Sequence, residues 1–259
     1  MADNDKRVAL ITGAARGIGL ATARRFHGEG WRVVLLDIDA ETLDAAMAEA
    51  DFGDDALSIH CDVADPAMVA DAFAAIDDWA GRLDALVNNA GIAVFKPMLE
   101  TSFDEWSRVL DVNLSGPFQC TQAAVPLMLR NGGGAVVNIG SISGLRASTL
   151  RVAYGTSKAA LGHLTKQQAA ELGGIGIRVN LVAPGPVETA MAKKVHTPDI
   201  RADYHNAIPL ARYGLEDEIA DAILFLCSER SSYINGQTIA VDGGFDATGI
   251  GLVALRERG

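Results

Sequence analysis

Tyr154 and Lys158 stand four residues apart in Ala153-Tyr154-Gly155-Thr156-Ser157-Lys158, and Ser141 lies thirteen residues before the tyrosine in Gly140-Ser141-Ile142-Ser143-Gly144. If the stretch from Val152 to about Leu172 is helical, positions i and i+4 share one face, so the phenol and the ammonium meet at one site. A phenol beside a fixed cation can give up its proton near neutral pH. Free tyrosine titrates at about 10, and lowering that by about 3 units needs roughly 4 kcal/mol of preference for the phenolate. A cation at ~4 Å, with an effective dielectric of ~20, contributes about 4 kcal/mol. The pair is thus suited to moving a proton on or off an oxygen. Taken alone, Tyr-x-x-x-Lys is more often a half-buried helix tyrosine beside a solvated lysine, so the rest of the chain has to supply the context.

Apolar runs with strand character alternate with helical stretches almost from end to end. The strand candidates are Val8 to Ile11, Val33 to Leu36, Leu57 to His60, Ala85 to Val87, Ala135 to Ile139, Arg178 to Val182 and Thr238 to Val241. Helices are expected near Ile18 to Glu29, Glu41 to Glu49, Met68 to Trp79, Phe103 to Arg130, Val152 to Leu172 and Glu216 to Ser228. Continuous apolar runs such as Val33-Val34-Leu35-Leu36 fit strands buried on both faces. The alternation predicts an α/β fold, with right-handed crossovers and a parallel sheet covered by helices on both sides. Ligands of such sheets bind at the carboxyl ends of the strands. The segment 187–213, with Pro198, Pro209 and mixed charge, breaks the rhythm and reads as a mobile flap or substrate lid.

The 259 residues, 49% hydrophobic and 21% charged, contain no Pro/Ser-rich linker and no solenoid-type repeat, which favours one domain over residues 1–259. Its cofactor half would run to about residue 150 and its catalytic and substrate half onward from there. Met1 to Arg7 lacks the apolar core of a secretory signal, and no run approaches the ~20 apolar residues of a membrane span. A cytoplasmic protein that binds no membrane is expected. A net charge of -11 has the wrong sign for binding nucleic acid. Three widely spaced cysteines, Cys61, Cys120 and Cys227, and five histidines without ligand spacing point to neither disulfides nor a metal site.

Thr12-Gly13-Ala14-Ala15-Arg16-Gly17-Ile18-Gly19 follows the first strand and opens the first helix, the context that gives a glycine-rich turn its meaning. Such a turn lets a pyrophosphate approach backbone N–H groups at a positively polarised helix end. Asp37 ends the second strand, eighteen residues after Gly19, where a carboxylate can accept both hydroxyls of an adenosine ribose and repel a 2′-phosphate. This favours NAD over NADP. Arg16 argues the other way, since a basic side chain there could meet a 2′-phosphate; it can instead remain solvated or pair with Asp37. Asp62-Val63 is placed to hold an adenine edge, although Asp62 could equally cap the helix beginning near Pro66. Asn88-Asn89-Ala90-Gly91 offers small residues and amides beside the cofactor, or a plain turn.

Together these residues resemble the short-chain dehydrogenase/reductase family, in its single-domain branch. The resemblance covers essentially the whole chain, from Thr12-Gly13-x-x-x-Gly17-Ile18-Gly19 through Asn88-Asn89-Ala90-Gly91, Asn113, Ser141, Tyr154-x-x-x-Lys158 and Pro184-Gly185 to Val241-Asp242-Gly243-Gly244. It implies a doubly wound Rossmann fold with seven parallel strands, a nicotinamide cofactor, a homotetramer, and a catalytic tetrad of Asn113, Ser141, Tyr154 and Lys158. Tyr154 is then the acid and base, Lys158 lowers its pKa and holds the nicotinamide ribose, and Ser141 stabilises the developing oxyanion. The resemblance gives Asn113, which sits in a predicted long helix, a water that relays protons to Lys158. Pro184, Gly185, Val187 and Thr189 would anchor the carboxamide.

The expected reaction is NAD(H)-dependent interconversion of a secondary alcohol and its ketone. The alternatives are an NADPH-dependent reductase of 3-oxoacyl thioesters, which Arg16 and Ile208-Pro209-Leu210-Ala211-Arg212 resemble, and a non-catalytic NAD(H) sensor, against which the tetrad speaks. Val94, Phe95, Ser143, Leu145, Arg146, Met191, His196 and Tyr204 are candidate walls for a small-molecule substrate. Their mixture suits a polyol, a diol or a hydroxy acid better than a long acyl chain. Arg146 and Arg151 could meet a substrate carboxylate, against the commoner case of solvated surface arginines. The tail 245–259 is expected to reach a neighbouring subunit's site or to pack at an interface.

Overall fold

The computed structural model describes residues 6–189, 192 and 195–249; Met191 and the part of the tail beyond Gly249 lie outside the described residues. Strands β1 (Val8–Thr12), β2 (Arg32–Asp37), β3 (Ala56–His60), β4 (Ala85–Asn88), β5 (Gly134–Ile139), β6 (Ile177–Pro184) and β7 (Thr238–Val241) form one sheet in the order β3-β2-β1-β4-β5-β6-β7. All the pairings are parallel. Each apolar run anticipated from the sequence is a strand.

Side-chain alternation explains why those runs have no polar face. Val8, Leu10, Val34 and Leu36 pack on one side against Phe73, Ile76, Leu127 and Met128. Their neighbours Ala9, Ile11, Val33 and Leu35 pack on the other against Phe26, Leu43, Ile219 and Ile223. Helices α1 (Gly17–Gly28), α2 (Ala40–Ala50) and α9 (Glu216–Cys227) contribute to the second layer, and α3 (Pro66–Ala80), α5 (Gly116–Leu129) and α7 (Val152–Leu172) to the first. This is the doubly wound Rossmann-type arrangement. Strand order reverses between β1 and β4, which opens a crevice at their carboxyl ends.

Local chemistry sets the helix starts. Asp39 accepts from Thr42 N at 3.1 Å to cap α2, and Asp65, followed by Pro66, accepts from Ala67 N at 2.8 Å to cap α3. The cap of α3 is therefore Asp65 and not Asp62, because only Asp65 immediately precedes the proline. Ser102 and Glu105 form a reciprocal capping box on α4 (Phe103–Leu110).

Three segments depart from expectation. The stretch anticipated as one helix from Phe103 to Arg130 is interrupted by a π-helical turn, Asp111–Ser115, between α4 and α5. Pro117 has no N–H to donate to the carbonyl of Asn113 four residues back, so regular α-helical bonding cannot continue there. A short helix, α6 (Ile142–Leu145), follows Ser141 and was not anticipated. The segment expected to be a flap contains α8 (Pro198–Ala207), whose start Thr197 caps by accepting from Ile200 N at 3.4 Å. Ile208 and Tyr213 are buried there with Ala192, against Tyr204 and Phe245. Among the described residues no helix is long and apolar enough to cross a membrane.

Gly144 is where α6 meets α7: a Cβ on it would lie 2.7 Å from the backbone carbon of Lys158 and 2.9 Å from Ala159 N. Backbone cannot yield as a flexible side chain can. Gly144→Ala is expected to lower stability by about 1–3 kcal/mol, measured by urea unfolding, and to reduce turnover by shifting Ser141. Unchanged stability would contradict the close contact.

Candidate active site

The glycine turn is shaped by backbone crowding. Gly13 has φ +65° and Gly17 φ +61°, conformations that favour glycine. A Cβ on Gly19 would lie 2.2 Å from Gly13 O, so no side chain fits between the turn and the first turn of α1. Helix α1, with Arg16 at its N-cap position, has no side-chain cap, unlike α2, α3 and α4, and no acidic residue in its first turn. The N–H groups around Gly17, Ile18 and Gly19 thus form an uncapped donor end, which fits a pyrophosphate. Thr12 and Asn89 brace the turn from the far side of the crevice. Thr12 Oγ1 accepts from Asn89 N and Ala90 N, each at 3.0 Å, and Asn89 Nδ2 donates to Thr12 O and Gly13 O, each at 2.9 Å. The Asn89 amide is therefore committed to the turn itself. Thr12 is a bracing residue that the glycine pattern alone does not reveal; its signal in the sequence is a polar residue closing an otherwise apolar strand.

Asp37 is buried at the end of β2, and both its oxygens are oriented by backbone: Oδ2 accepts from Ala15 N at 2.9 Å and Oδ1 from Asp39 N at 3.0 Å. Each oxygen keeps capacity for a further donor. Arg16 does not pair with Asp37. Its guanidinium bonds Asp39, whose carboxyl is held below the ordinary range by the Thr42 backbone and side chain and then by Arg16. Asp39 lies on the exposed side of the turn, whereas Asp37 is buried beneath it. Asp62 accepts from Ala64 N at 2.9 Å and pairs with Arg108 at 2.7 Å, and Val63 is buried.

Asn113 is fully buried, and its amide joins two parts of the site. Oδ1 accepts from Ile92 N at 2.8 Å, while Nδ2 donates to Ile92 O at 2.9 Å and to Ser157 Oγ at 3.0 Å. Ser157 in turn donates to Tyr154 O at 2.7 Å. Both amide protons are taken, so the Asn113 side chain could meet a water beside Lys158 only through the remaining Oδ1 lone pair. Gly91 closes the group: a Cβ there would lie 3.3 Å from Asn113 Oδ1 and 3.4 Å from Lys158 Nζ.

Ser141, Tyr154 and Lys158 are brought together where β5 ends against α7. Lys158 Nζ donates to Ile139 O at 2.7 Å and lies 5.8 Å from the centre of the Tyr154 ring. Ser141 is extended, accepts from Ser143 N at 3.1 Å, and hydrogen-bonds the Tyr154 phenol. Burial lowers the Lys158 ammonium from 10.5 to about 8. The phenol is raised, because burial outweighs the Ser141 hydrogen bond and the positive charge of Arg151. In the nucleotide-free protein burial thus outweighs any lowering of the phenol by neighbouring cations. The same desolvation acts on both groups, and it penalises the charged form of each.

Past β6, Gly185 N donates to Val241 O at 3.0 Å, Val187 bridges Gly214, and Thr189 Oγ1 accepts from Ala192 N at 3.1 Å. Pro184 is the last residue of β6. Ser143 Oγ lies 3.0 Å from Ser148 Oγ, Phe95 is exposed and Val94 is half-buried. His196 shares a hydrogen bond of 3.0 Å with Tyr213 and stacks on Tyr204. Arg146 ties down the tail instead of facing substrate, bonding Asp246 Oδ1 and Thr248 O, each at 2.9 Å. Among the described residues no group of three or more His, Cys, Asp and Glu could hold a metal ion.

The family model described as enoyl-(acyl carrier protein) reductase matches residues 13–246. The chain is 40% identical over 239 residues to a 3-oxoacyl-[acyl-carrier-protein] reductase of Thermotoga maritima, covering 92% of this chain and 97% of the relative. It is 38% identical over 244 residues to the meso-2,3-butanediol dehydrogenase of Serratia marcescens, covering 94% and 96%. A solved short-chain type dehydrogenase/reductase from Mycobacterium marinum superposes with TM-score 0.87 at 36% identity, over 92% of this chain and 95% of that one.

The buried amine carries a pH signature. Unfolded, Lys158 holds its proton up to about 10.5 and folded only to about 8, so between these values the unfolded state binds more protons and stability rises with pH. Below about 8 the full penalty is present, on the order of 3 kcal/mol at 1.36 kcal/mol per pH unit. Lys158→Met removes it. The stability of the variant minus that of the wild type, from urea unfolding of nucleotide-free protein, is expected to be greatest near pH 7 and to fall as pH rises through 8 toward 10. A difference independent of pH would contradict the depressed amine.

Proposed function

Because the chain belongs to the short-chain dehydrogenase/reductase family, we propose that it interconverts a secondary alcohol and its ketone with NAD(H), using Tyr154 as acid and base. The observation that carries this reading is the convergence of Ser141, Tyr154 and Lys158 at the end of β5 beside the crevice opened by the glycine turn. Gly13, Gly17, Ile18 and Gly19 would hold the pyrophosphate, Asp37 the adenosine ribose, Asp62 and Val63 the adenine edge, and Ala90 and Gly91 the floor. Lys158 would hold the nicotinamide ribose, and Pro184, Gly185, Val187 and Thr189 the carboxamide.

When bound, the nicotinamide accepts or donates the hydride and, in its oxidised form, places a positive charge beside the phenol. Tyr154 takes the hydroxyl proton of the alcohol in oxidation and returns it to the carbonyl oxygen in reduction. Ser141 donates to that same oxygen as negative charge develops on it. Lys158, fixed by Ile139 O, favours the phenolate while the proton is away from Tyr154. Asn113 keeps α7 in register with the loop carrying Ile92, so the phenol stays in place while it changes charge.

The relatives include both a 3-oxoacyl-[acyl-carrier-protein] reductase and a meso-2,3-butanediol dehydrogenase. Two features weigh toward NAD and a small alcohol. Asp37 is fixed where a 2′-phosphate would need to lie, and Arg16, the cation that could receive one, is paired with Asp39. Arg212, in the stretch that resembles the thioester reductases, is bonded to Glu218 and Tyr213 O. A polyol, diol or hydroxy acid is the substrate class in this reading. Exposed Leu99, Phe103 and Phe118, near and along α4 and α5, supply apolar surface for the homotetramer that belongs to it.

Tyr154→Phe is expected to abolish turnover of any alcohol the wild type oxidises while leaving NADH affinity within about threefold, as read by nucleotide fluorescence. Retained turnover would remove Tyr154 as acid and base. Asp37→Ala is expected to shrink the ratio of kcat/KM with NAD to kcat/KM with NADP. A wild-type enzyme that uses NADP equally well or better would overturn the assignment to NAD.

A further inference from the structure

Arg151 is the N-cap residue of α7, three residues before Tyr154. It is delivered there by unusual backbone: Leu150 has φ +59°, one of three non-glycine residues in the left-handed region among those described. Lys96 N fixes that turn by donating to Leu150 O at 3.1 Å. A left-handed leucine persists only where its surroundings over-determine it, and such residues gather at functional sites.

The guanidinium lies 5.2 Å from the centre of the Phe95 ring, and its Nη1 is 3.4 Å from Ser143 Oγ. Both contacts are neutral, and the hydrogen bond is long. Among the described residues no carboxylate lies within ion-pair distance of Arg151, although nearby arginines are neutralised: Arg146 by Asp246, Arg201 by Glu188 and Arg212 by Glu218. Its positive charge bears on the titration of Tyr154, His196 and Tyr213. The other groups facing this space offer it no anion: Lys158 is cationic or neutral, and Glu188 is taken by Arg201. A partly buried cation held between the Phe95 ring and the Ser143 hydroxyl has a strong unmet demand for an oxyanion. In a chain of net charge -11, which repels anions at large, such a local cation is also what admits a negatively charged substrate.

We propose that Arg151 binds an anionic group of the substrate, so that the preferred substrates are secondary alcohols bearing a carboxylate or like oxyanion a few bonds from the carbinol. This rests on the dehydrogenase reading above. The planar fork of the guanidinium would take two oxygens of the anion in parallel hydrogen bonds. That fixes the distance and direction from the anion to the carbinol beside Tyr154.

The test compares 3-hydroxybutyrate with its neutral methyl ester as substrates of the wild type, Arg151→Gln and Arg151→Lys, together with a hydroxyalkane sulfonate as a second oxyanion. The expected result is an acid-to-ester ratio of kcat/KM that falls roughly tenfold to hundredfold in Arg151→Gln, chiefly through KM, with part of the ratio retained in Arg151→Lys. Arg151-dependent use of either the carboxylate or the sulfonate supports the proposal and says which anion fits. A ratio unchanged by Arg151→Gln overturns it. So does an equal loss for acid and ester with a shifted pH profile, which would mean that Arg151 serves only the phenol. Binding is read separately by calorimetry with butyrate and propanesulfonate, neither of which can be oxidised at a carbinol. Tighter binding by the wild type than by Arg151→Gln, in a protein that oxidises no alcohol, would sink the dehydrogenase reading and leave the anion site standing. Equal binding would overturn the anion site.

Discussion

Lys158 is an ammonium buried at the seam between sheet and helix, donating to Ile139 O where β5 ends. A charge in such a place is costly unless it is held by oriented acceptors, and the surrounding geometry follows from holding it. Gly91 and Gly144 are glycine where the chain passes closest to this residue, one near its ammonium and one against its backbone. Asn113 grips Ile92 and Ser157, which fixes the same turn of α7 against the loop after β4. The π-helical turn and Pro117 give Asn113 the freedom to do so, at the expense of a regular helix.

The two halves of the crevice are therefore built by different means. The crevice at the glycine turn is a matter of absent atoms: there is no room for a Cβ at Gly13 or Gly19, and α1 begins without a side-chain cap. The catalytic half is a matter of desolvation, which pushes Lys158 down and Tyr154 up so that neither group is readily charged alone. Added positive charge beside the phenol reverses that balance. In the proposed reaction, proton transfer would thereby be coupled to the oxidation state of the nicotinamide.

Much of this was legible in the sequence because it is periodic or local. Buried parallel strands have to be continuous apolar runs, and the i, i+4 spacing of Tyr154 and Lys158 fixes a shared face. The remainder depends on partners distant along the chain. Nothing near Arg16 says that it bonds Asp39 and leaves Asp37 to the backbone of Ala15, and nothing near Arg146 says that it holds the tail at Asp246. The break at Asn113 was in principle readable from Pro117, since a proline interrupts the bonding of the carbonyl four residues earlier. The balance at the phenol is not legible from the Tyr154 and Lys158 spacing, because burial acts on both groups and depends on the whole fold. Helix α8 was missed because its apolar face is short and its packing is against Tyr213 and Phe245, outside the segment's own rhythm.

The coupling between burial and charge can be observed on the phenol itself. Subtracting the ultraviolet titration of Tyr154→Phe from that of the wild type isolates this tyrosine. A unit positive charge at ~5 Å with an effective dielectric of ~20 contributes about 3 kcal/mol. The account predicts a phenol that titrates above the ordinary tyrosine value in nucleotide-free protein and about two pH units lower with saturating NAD. A Tyr154 that titrates at the same pH with and without the oxidised nucleotide would contradict it.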